Sequence, residues 1–286
     1  MPVALVCGAS GAIGRYLLPR LLGAGYQVIA LSRVARDSDD ARLQWRIGDL
    51  EHVLPDLPAL DLVLSCGPLD AFARWFARTP ARIVRVVAFG SMSIESKQAS
   101  PDAAERALVE RLHEAEQSVM TTAQARAGAW TLLRPTLIYG AAVDRSLTPL
   151  AHLARRWRVF PRIPAAHGLR QPVHADDLAG ACVAVATNPR SAGKVYALGG
   201  GERLAFSEML ERVHASLPFR ALSLPLPLTL WRPFAHRLPA LERLQRDLVA
   251  DDREATADFG WAPRAFRPDA ACWFASPMPS RFRPPV

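Results

Sequence analysis

The sequence predicts an α/β fold: a doubly wound parallel sheet with helices on both faces, completed by a small C-terminal lobe. Three observations carry this. An apolar run, a glycine turn and a helical pattern follow one another at the N-terminus. Strand-like and helical segments then alternate over about 135 residues, and after Pro135 the pattern breaks into short, proline-rich pieces.

The first strand is Val3-Ala4-Leu5-Val6-Cys7, a short continuous apolar run of the kind buried on both faces of a sheet. Gly8-Ala9-Ser10-Gly11-Ala12-Ile13-Gly14 follows, then the helical pattern Tyr16, Leu17, Leu18, Leu21, Leu22. Strand, glycine turn and helix in this order form a cradle for a dinucleotide pyrophosphate. The first glycine permits the turn, the second admits the phosphates to the backbone, and the third lets helix pack on strand. Gly8, Ser10, Gly11, Ala12, Ile13 and Gly14 are therefore the expected cofactor contacts of a Rossmann-type core. Further strands are expected at 27–31, 60–66, 83–89 and 130–133, with a weaker one at 43–47. Their connections should be right-handed and their ligands should bind beyond the C-terminal strand ends.

The organisation expected is a dinucleotide-binding core over 1–135 and a substrate lobe over 136–286. Segments of the lobe near 170–200 should return to the core, with strands at 171–174 and 194–198. Helices are expected at 176–187, 207–216 and 238–250, the first capped by Asp176.

Composition narrows the function. The net charge is +8, yet lysine occurs only at Lys97 and Lys194, and the arginines are scattered without an aromatic-interleaved basic tract. That argues against a nucleic-acid partner and suits attraction of an anionic cofactor or substrate. The cysteines, Cys7, Cys66, Cys182 and Cys272, lack metal-binding or redox spacing and read as buried thiols in a reducing compartment. No metal is expected. Without a basic leader or a membrane-length apolar run, the expected location is the cytoplasm, with no membrane partner.

The second strand ends in Ser32-Arg33, where an NAD site would place an acidic side chain on the ribose. A hydroxyl and a guanidinium favour the 2′-phosphate of NADP, while Asp37, Asp39 and Asp40 leave NAD open.

With these pieces placed, the chain resembles the extended branch of the short-chain dehydrogenase/reductase superfamily, the NAD-dependent epimerase/dehydratase-like group. The resemblance rests on the glycine turn and on Gly48-Asp49-Leu50, Phe89-Gly90-Ser91-Met92-Ser93, Arg134-Pro135-Thr136-Leu137-Ile138-Tyr139-Gly140, the stretch from Arg170 to Ala179, and Phe259-Gly260-Trp261-Ala262-Pro263. It implies that Asp49 and Leu50 meet the adenine, that Ser91 is the catalytic serine, and that Arg170 holds a substrate diphosphate. Arg243 or Arg246 is a looser match to a second such arginine. A small-molecule substrate is implied, and the oligomeric state, a homodimer included, stays open.

Two departures limit what carries over. Leu108 and Leu112 stand where the superfamily has its proton-transferring tyrosine and lysine, and Leu137 replaces a diphosphate-binding asparagine. Ala104, Leu108, Leu112, Ala115 and Val119 read as one core-facing stripe. Hydride transfer at a carbonyl needs a proton moved at the oxygen, and two leucines cannot move it. Of the possible substitutes, Tyr139 ranks first because the strand end should project it toward the cleft. His113, Glu110 and Lys97 follow. The sequence thus points to an NADP-dependent oxidoreductase or epimerase-like enzyme on a small carbonyl, hydroxyl or sugar-type substrate, with an atypical proton donor. The alternative is an NAD(P)-binding sensor without turnover.

Overall fold

Seven strands form one parallel sheet: β1 (Val3–Cys7), β2 (Gln27–Ser32), β3 (Leu43–Ile47), β4 (Leu60–Ser65), β5 (Ile83–Phe89), β6 (Ala129–Pro135) and β7 (Lys194–Leu198). Their order is β7-β6-β5-β4-β1-β2-β3, a doubly wound topology in a computed structural model that describes residues 1–51, 54, 57–226, 244–274 and 281–282. The crossover from β3 back past β1 to β4 places the topological switch beside β1, where the glycine turn leaves the sheet.

Helices cover both faces. On one, α1 (Ala12–Gly23) packs with Leu17, Leu18 and Leu21 fully buried against Ala4, Val6 and the helix Ala175–Thr187. On the other, α2 (Leu69–Arg78) and α4 (Ala103–Ala125) cover Leu5, Val63, Val86 and Leu132 with Phe72, Trp75, Phe76 and Val119. The short α3 (Ser93–Ser96) lies between β5 and α4.

Of the expected α4 stripe, Ala115 and Val119 are buried, while in the first turns of the helix the buried face is displaced by one residue. Glu105, Val109, Ala115, Glu116, Val119 and Ala123 face inward, Ala104 is exposed, and Leu108 and Leu112 are half-buried. The two glutamates tolerate burial because each has a cation: Glu105 meets Lys97 at 3.1 Å and Glu116 meets Arg134 at 2.6 Å.

Chain from beyond residue 136 completes the core. Strand β7 pairs in parallel with β6 from Lys194↔Thr131 to Leu198↔Pro135, and Ala175–Thr187 lies on α1. Arg85 of β5 fastens this returning segment by donating to the carbonyls of Val185 and Asn188 and to Ser191 Oγ. The strand expected at 171–174 does not join the sheet. Leu169–Arg170 pairs with Leu204–Ala205, and Val173–His174 pairs with Ile138–Tyr139, because Pro172 lacks the N–H a continuous ladder needs. The helix after it is capped by His174, whose Nδ1 accepts from the Asp176 N–H at 3.1 Å; Asp176 instead sits in the first turn.

The lobe has its own core. Ala151, Met209, Val213 and Trp273, from the helices Thr148–Trp157, Phe206–Ala215 and Ala270–Phe274, cluster around Tyr139 together with Leu147, Phe160 and Phe266. Of the helix expected at 238–250, residues 238–243, Arg243 included, lie outside the described residues.

Candidate functional site

The glycine turn is built as its spacing demands. Gly8 has φ +77°, and a Cβ there would sit 2.9 Å from the Cys66 backbone at the end of β4. A Cβ on Gly14 would lie 2.4 Å from the Ala9 carbonyl oxygen and 2.5 Å from that of Gly8, so only glycine lets α1 start this close to β1. Gly11 caps α1 with no side-chain hydrogen bond, and Ala12 and Ile13 open the first turn. The N-terminal N–H groups thus face the turn with no side chain set to satisfy them, an arrangement that fits a pyrophosphate. Arg15 ties the turn to the lobe, donating to the carbonyls of Ser10 at 3.3 Å and Ala141 at 3.2 Å.

The ends of β2 and β3 bring Ser32, Arg33 and Asp49 to one corner, where the Gly48 N–H donates to the Ser32 carbonyl. Ser32 is buried and its Oγ accepts from the Val34 N–H and from Arg36 Nε at 3.3 Å, while Arg33 is exposed. Arg36 also lies over the Trp45 ring at 5.5 Å. Burial first, and then the repulsion of Arg36, pushes the Arg15 guanidinium below its ordinary value. Two guanidiniums that repel at the edge of a phosphate cradle form an anion-seeking corner. Reading the sequence missed Arg36; its signal was a second cation within four residues of the strand end. Asp49 accepts from the Glu51 N–H at 3.0 Å, and Leu50 is buried under α2.

Ser91 follows β5. Its Oγ accepts from the Ser93 N–H at 3.1 Å and so shapes the turn into α3. Beyond that turn lies a cleft of about 170 Å³, lined by Ser93, Ser96, Lys97, Glu105, Arg170, Arg246, Asp247 and Leu248. Serine loop, start of α4 and lobe all contribute walls. Arg170 is only 6% exposed. Its guanidinium donates to the carbonyls of Leu169 and Arg246 and stacks on Phe206, and burial lowers its pKa. Asp247 accepts from the Leu169 N–H at 2.7 Å. Arg170 and Arg246 therefore share one cleft with Lys97.

Tyr139 is placed elsewhere. It is 1% exposed and packed edge-on against His174 and Phe266, so it is a junction residue inside the lobe core and does not project toward the cleft. Burial raises its pKa, away from the range of a working acid or base. The β strand end carries the tyrosine inward because Ile138–Tyr139 pairs with Val173–His174. Leu108 and Leu112 lie one turn apart on α4, and His113 and Glu110 are exposed. Among the described residues no group of His, Cys, Asp and Glu is arranged to hold a metal, and no helix is long and apolar enough to cross a membrane.

Fold and site together define a doubly wound α/β protein whose first strand runs through a glycine turn into a helix. Residues 4–94 match the model of the NAD dependent epimerase/dehydratase family, which bears out the resemblance read from the sequence. Among solved structures, MoeE5 in complex with UDP-glucose and NAD superimposes with a TM-score of 0.72 at 20% identity, covering 96% of this chain and 97% of that one. The UDP-glucuronic acid 4-epimerase of Bacillus cereus in complex with NAD gives 0.70 at 15%, covering 95% and 96%. Among curated proteins, subunit 9 of the mitochondrial NADH dehydrogenase [ubiquinone] 1 alpha subcomplex of Dictyostelium discoideum is 24% identical over 237 residues, or 74% of this chain. The UDP-glucose 4-epimerase of Vibrio cholerae is 23% identical over 153 residues, or 52% of it. The chain spans 63% and 47% of the lengths of these two relatives.

Proposed function

We propose that the protein is an NADP-dependent oxidoreductase or epimerase-like enzyme acting on a small carbonyl, hydroxyl or sugar-type substrate in the cytoplasm. The observation that carries the reading is the charged cleft directly beyond Ser91, walled by Lys97, Glu105, Arg170 and Arg246. A protein that only stored a dinucleotide would not need a polar cleft at the place where a substrate oxygen meets the serine loop. When bound, the nicotinamide supplies or accepts hydride; the chain's part is to hold the dinucleotide, orient the substrate and manage its proton. The α1 N-terminus would hold the pyrophosphate, and Ser32, Arg33 and Arg36 would favour a 2′-phosphate over a bare ribose. The anionic substrate groups suited to Arg170 and Arg246 include the diphosphate of a nucleotide sugar.

Calorimetry with NADPH and NADH, followed by absorbance assays on UDP-glucose, UDP-glucuronic acid and simple carbonyls, tests this. NADPH is expected to bind at least ~10-fold more tightly than NADH, and Arg36→Ala should remove about 1.4 kcal/mol of that preference. Equal affinities in the wild type would overturn the NADP assignment.

A second reading, a dinucleotide-binding protein without turnover, draws on Leu108 and Leu112, on the burial of Tyr139, and on the similarity to an NADH dehydrogenase subunit. Tight NADPH binding with no turnover across the substrates named would establish it in place of the first.

A further inference from the structure

The chain carries 35 basic side chains, and lysine accounts for only Lys97 and Lys194. In a protein that uses arginine almost everywhere, each lysine marks a place where a guanidinium was not used. Lys194 sits at the surface between Glu254 at 2.8 Å and Asp258 at 2.6 Å, where an exposed ion pair accounts for it. Lys97 is different. It closes α3, six residues after Ser91, and reaches into the cleft to the buried Glu105 at 3.1 Å. Glu105 is in turn fixed by the Ser100 hydroxyl, which donates to Oε2 at 2.7 Å. An arginine there could pair with Glu105 equally well, but a guanidinium gives up a proton far less readily than an ammonium does.

We propose that Lys97 is the proton-transferring residue of this cleft and that Glu105 is its positioning residue, taking the task that Leu108 and Leu112 cannot perform. The assignment rests on the enzyme reading above. In the reducing direction the electron pair reaches the substrate carbonyl carbon as hydride from a reduced nicotinamide dinucleotide. The oxygen then takes a proton from Lys97 Nζ: an N–H bond breaks, an O–H bond forms, and the N–H pair stays on nitrogen. The neutral amine regains its proton from water through the open side of the cleft, since the Lys97 side chain keeps 28% of its surface exposed. In the oxidising direction the same amine removes the hydroxyl proton. Glu105 aims the ammonium and keeps it from swinging into solvent, and the Ser100 hydrogen bond keeps Glu105 from following it. Arg170 and Arg246, across the cleft, would hold an anionic part of the same substrate while Lys97 faces its reacting oxygen.

The experiment uses the full chain and three variants. Lys97→Arg keeps the charge and the Glu105 pair but removes the transferable proton; turnover should fall ~10²- to 10⁴-fold, with the Kd for NADPH and for UDP-glucose, read by calorimetry, within ~3-fold of wild type. Glu105→Gln keeps the Ser100 contact and should lower kcat while leaving KM nearly unchanged. Lys194→Arg should match wild type. A readout independent of turnover comes from acetylating the protein with acetic anhydride and following both lysines by peptide mass spectrometry: saturating UDP-glucose should slow labelling of Lys97 and leave Lys194 as it was. If wild type turns over substrate and Lys97→Arg does so equally fast, the Lys97 assignment is overturned while the enzyme reading stands. Equal labelling of Lys97 with and without UDP-glucose in a protein that binds it overturns the assignment as well. A wild type that binds NADPH and turns over nothing overturns the enzyme reading and this assignment with it.

Discussion

Gly14→Ala tests the cofactor cradle through a single methyl group. That methyl would meet the Ala9 carbonyl oxygen at 2.4 Å, the Ala9 carbonyl carbon at 2.5 Å and the Gly8 oxygen at 2.5 Å. All three are backbone atoms, so no side chain can swing aside. Restoring ordinary contact near ~3.5 Å requires α1 and the turn to part by roughly 1 Å. Overpacking of this kind costs about 1–3 kcal/mol. At roughly 2–4 °C per kcal/mol for a chain of this size, Tm should fall by about 6 °C for a cost near the middle of that range. The same displacement pulls the α1 N–H groups away from the pyrophosphate, so NADPH affinity should drop at least ~10-fold. Gly23→Ala, at the other end of α1, is the control: a Cβ there meets nothing within 4 Å, and the substitution should stabilise the helix by up to ~1 kcal/mol. Differential scanning calorimetry with NADPH titration reads both. Unchanged Tm and affinity in Gly14→Ala would refute the close approach of α1 to β1 on which the cradle depends.

Two further outcomes follow from buried polar groups. Glu116 is buried and takes two hydrogen bonds from Arg134, at 3.0 and 2.6 Å, which raise the Arg134 pKa. Glu116→Ala should cost about 3 kcal/mol in urea unfolding, because Arg134 is left without its buried partner, and a loss below ~1 kcal/mol would show that water replaces the carboxylate. His174 is held below its ordinary 6.5 by burial, so the folded protein keeps it neutral and its Nδ1 free to cap the helix. Its contribution is present above 6.5 and is lost as the pH falls toward the folded-state pKa, since the unfolded chain takes the proton first. His174→Asn retains a capping oxygen and should flatten the decline in stability that wild type shows as the pH falls below about 6.5, as urea midpoints would report.

The parts of the fold that were legible in the sequence are those fixed by local chemistry. Val3–Cys7 and the glycine turn declare themselves because buried strands and phosphate-binding turns tolerate few residue types, and even the weak 43–47 segment forms an edge strand. What was not legible depends on partners far away in sequence. On α4, Ala115 and Val119 face the core as their spacing implies, whereas Glu105 and Glu116 do not declare themselves because charged residues are normally counted as solvent-facing and only Lys97 and Arg134 make them fit inside. Tyr139 was expected at the cleft mouth, and its true surroundings come from Val173–His174, Phe266 and Trp273, none of which is local to it. Lys97 stood last among the candidate donors for the same reason: its setting is made by Glu105 and by lobe residues more than seventy positions later.

The parallel pairing of β7 on β6 has a consequence for how the protein can be made. A nascent chain that has emerged only as far as β6 would carry Leu132 and Leu133, both fully buried in the finished protein, on an edge strand paired with β5 alone and open on its other side. It would also lack the helix that covers α1 and the acceptors that satisfy Arg85. An open apolar edge is a template for mispairing, and it closes only after residue 198 has been synthesised. Cutting the gene after the sixth strand should therefore yield inclusion bodies, and folding on the ribosome must wait for about two thirds of the chain.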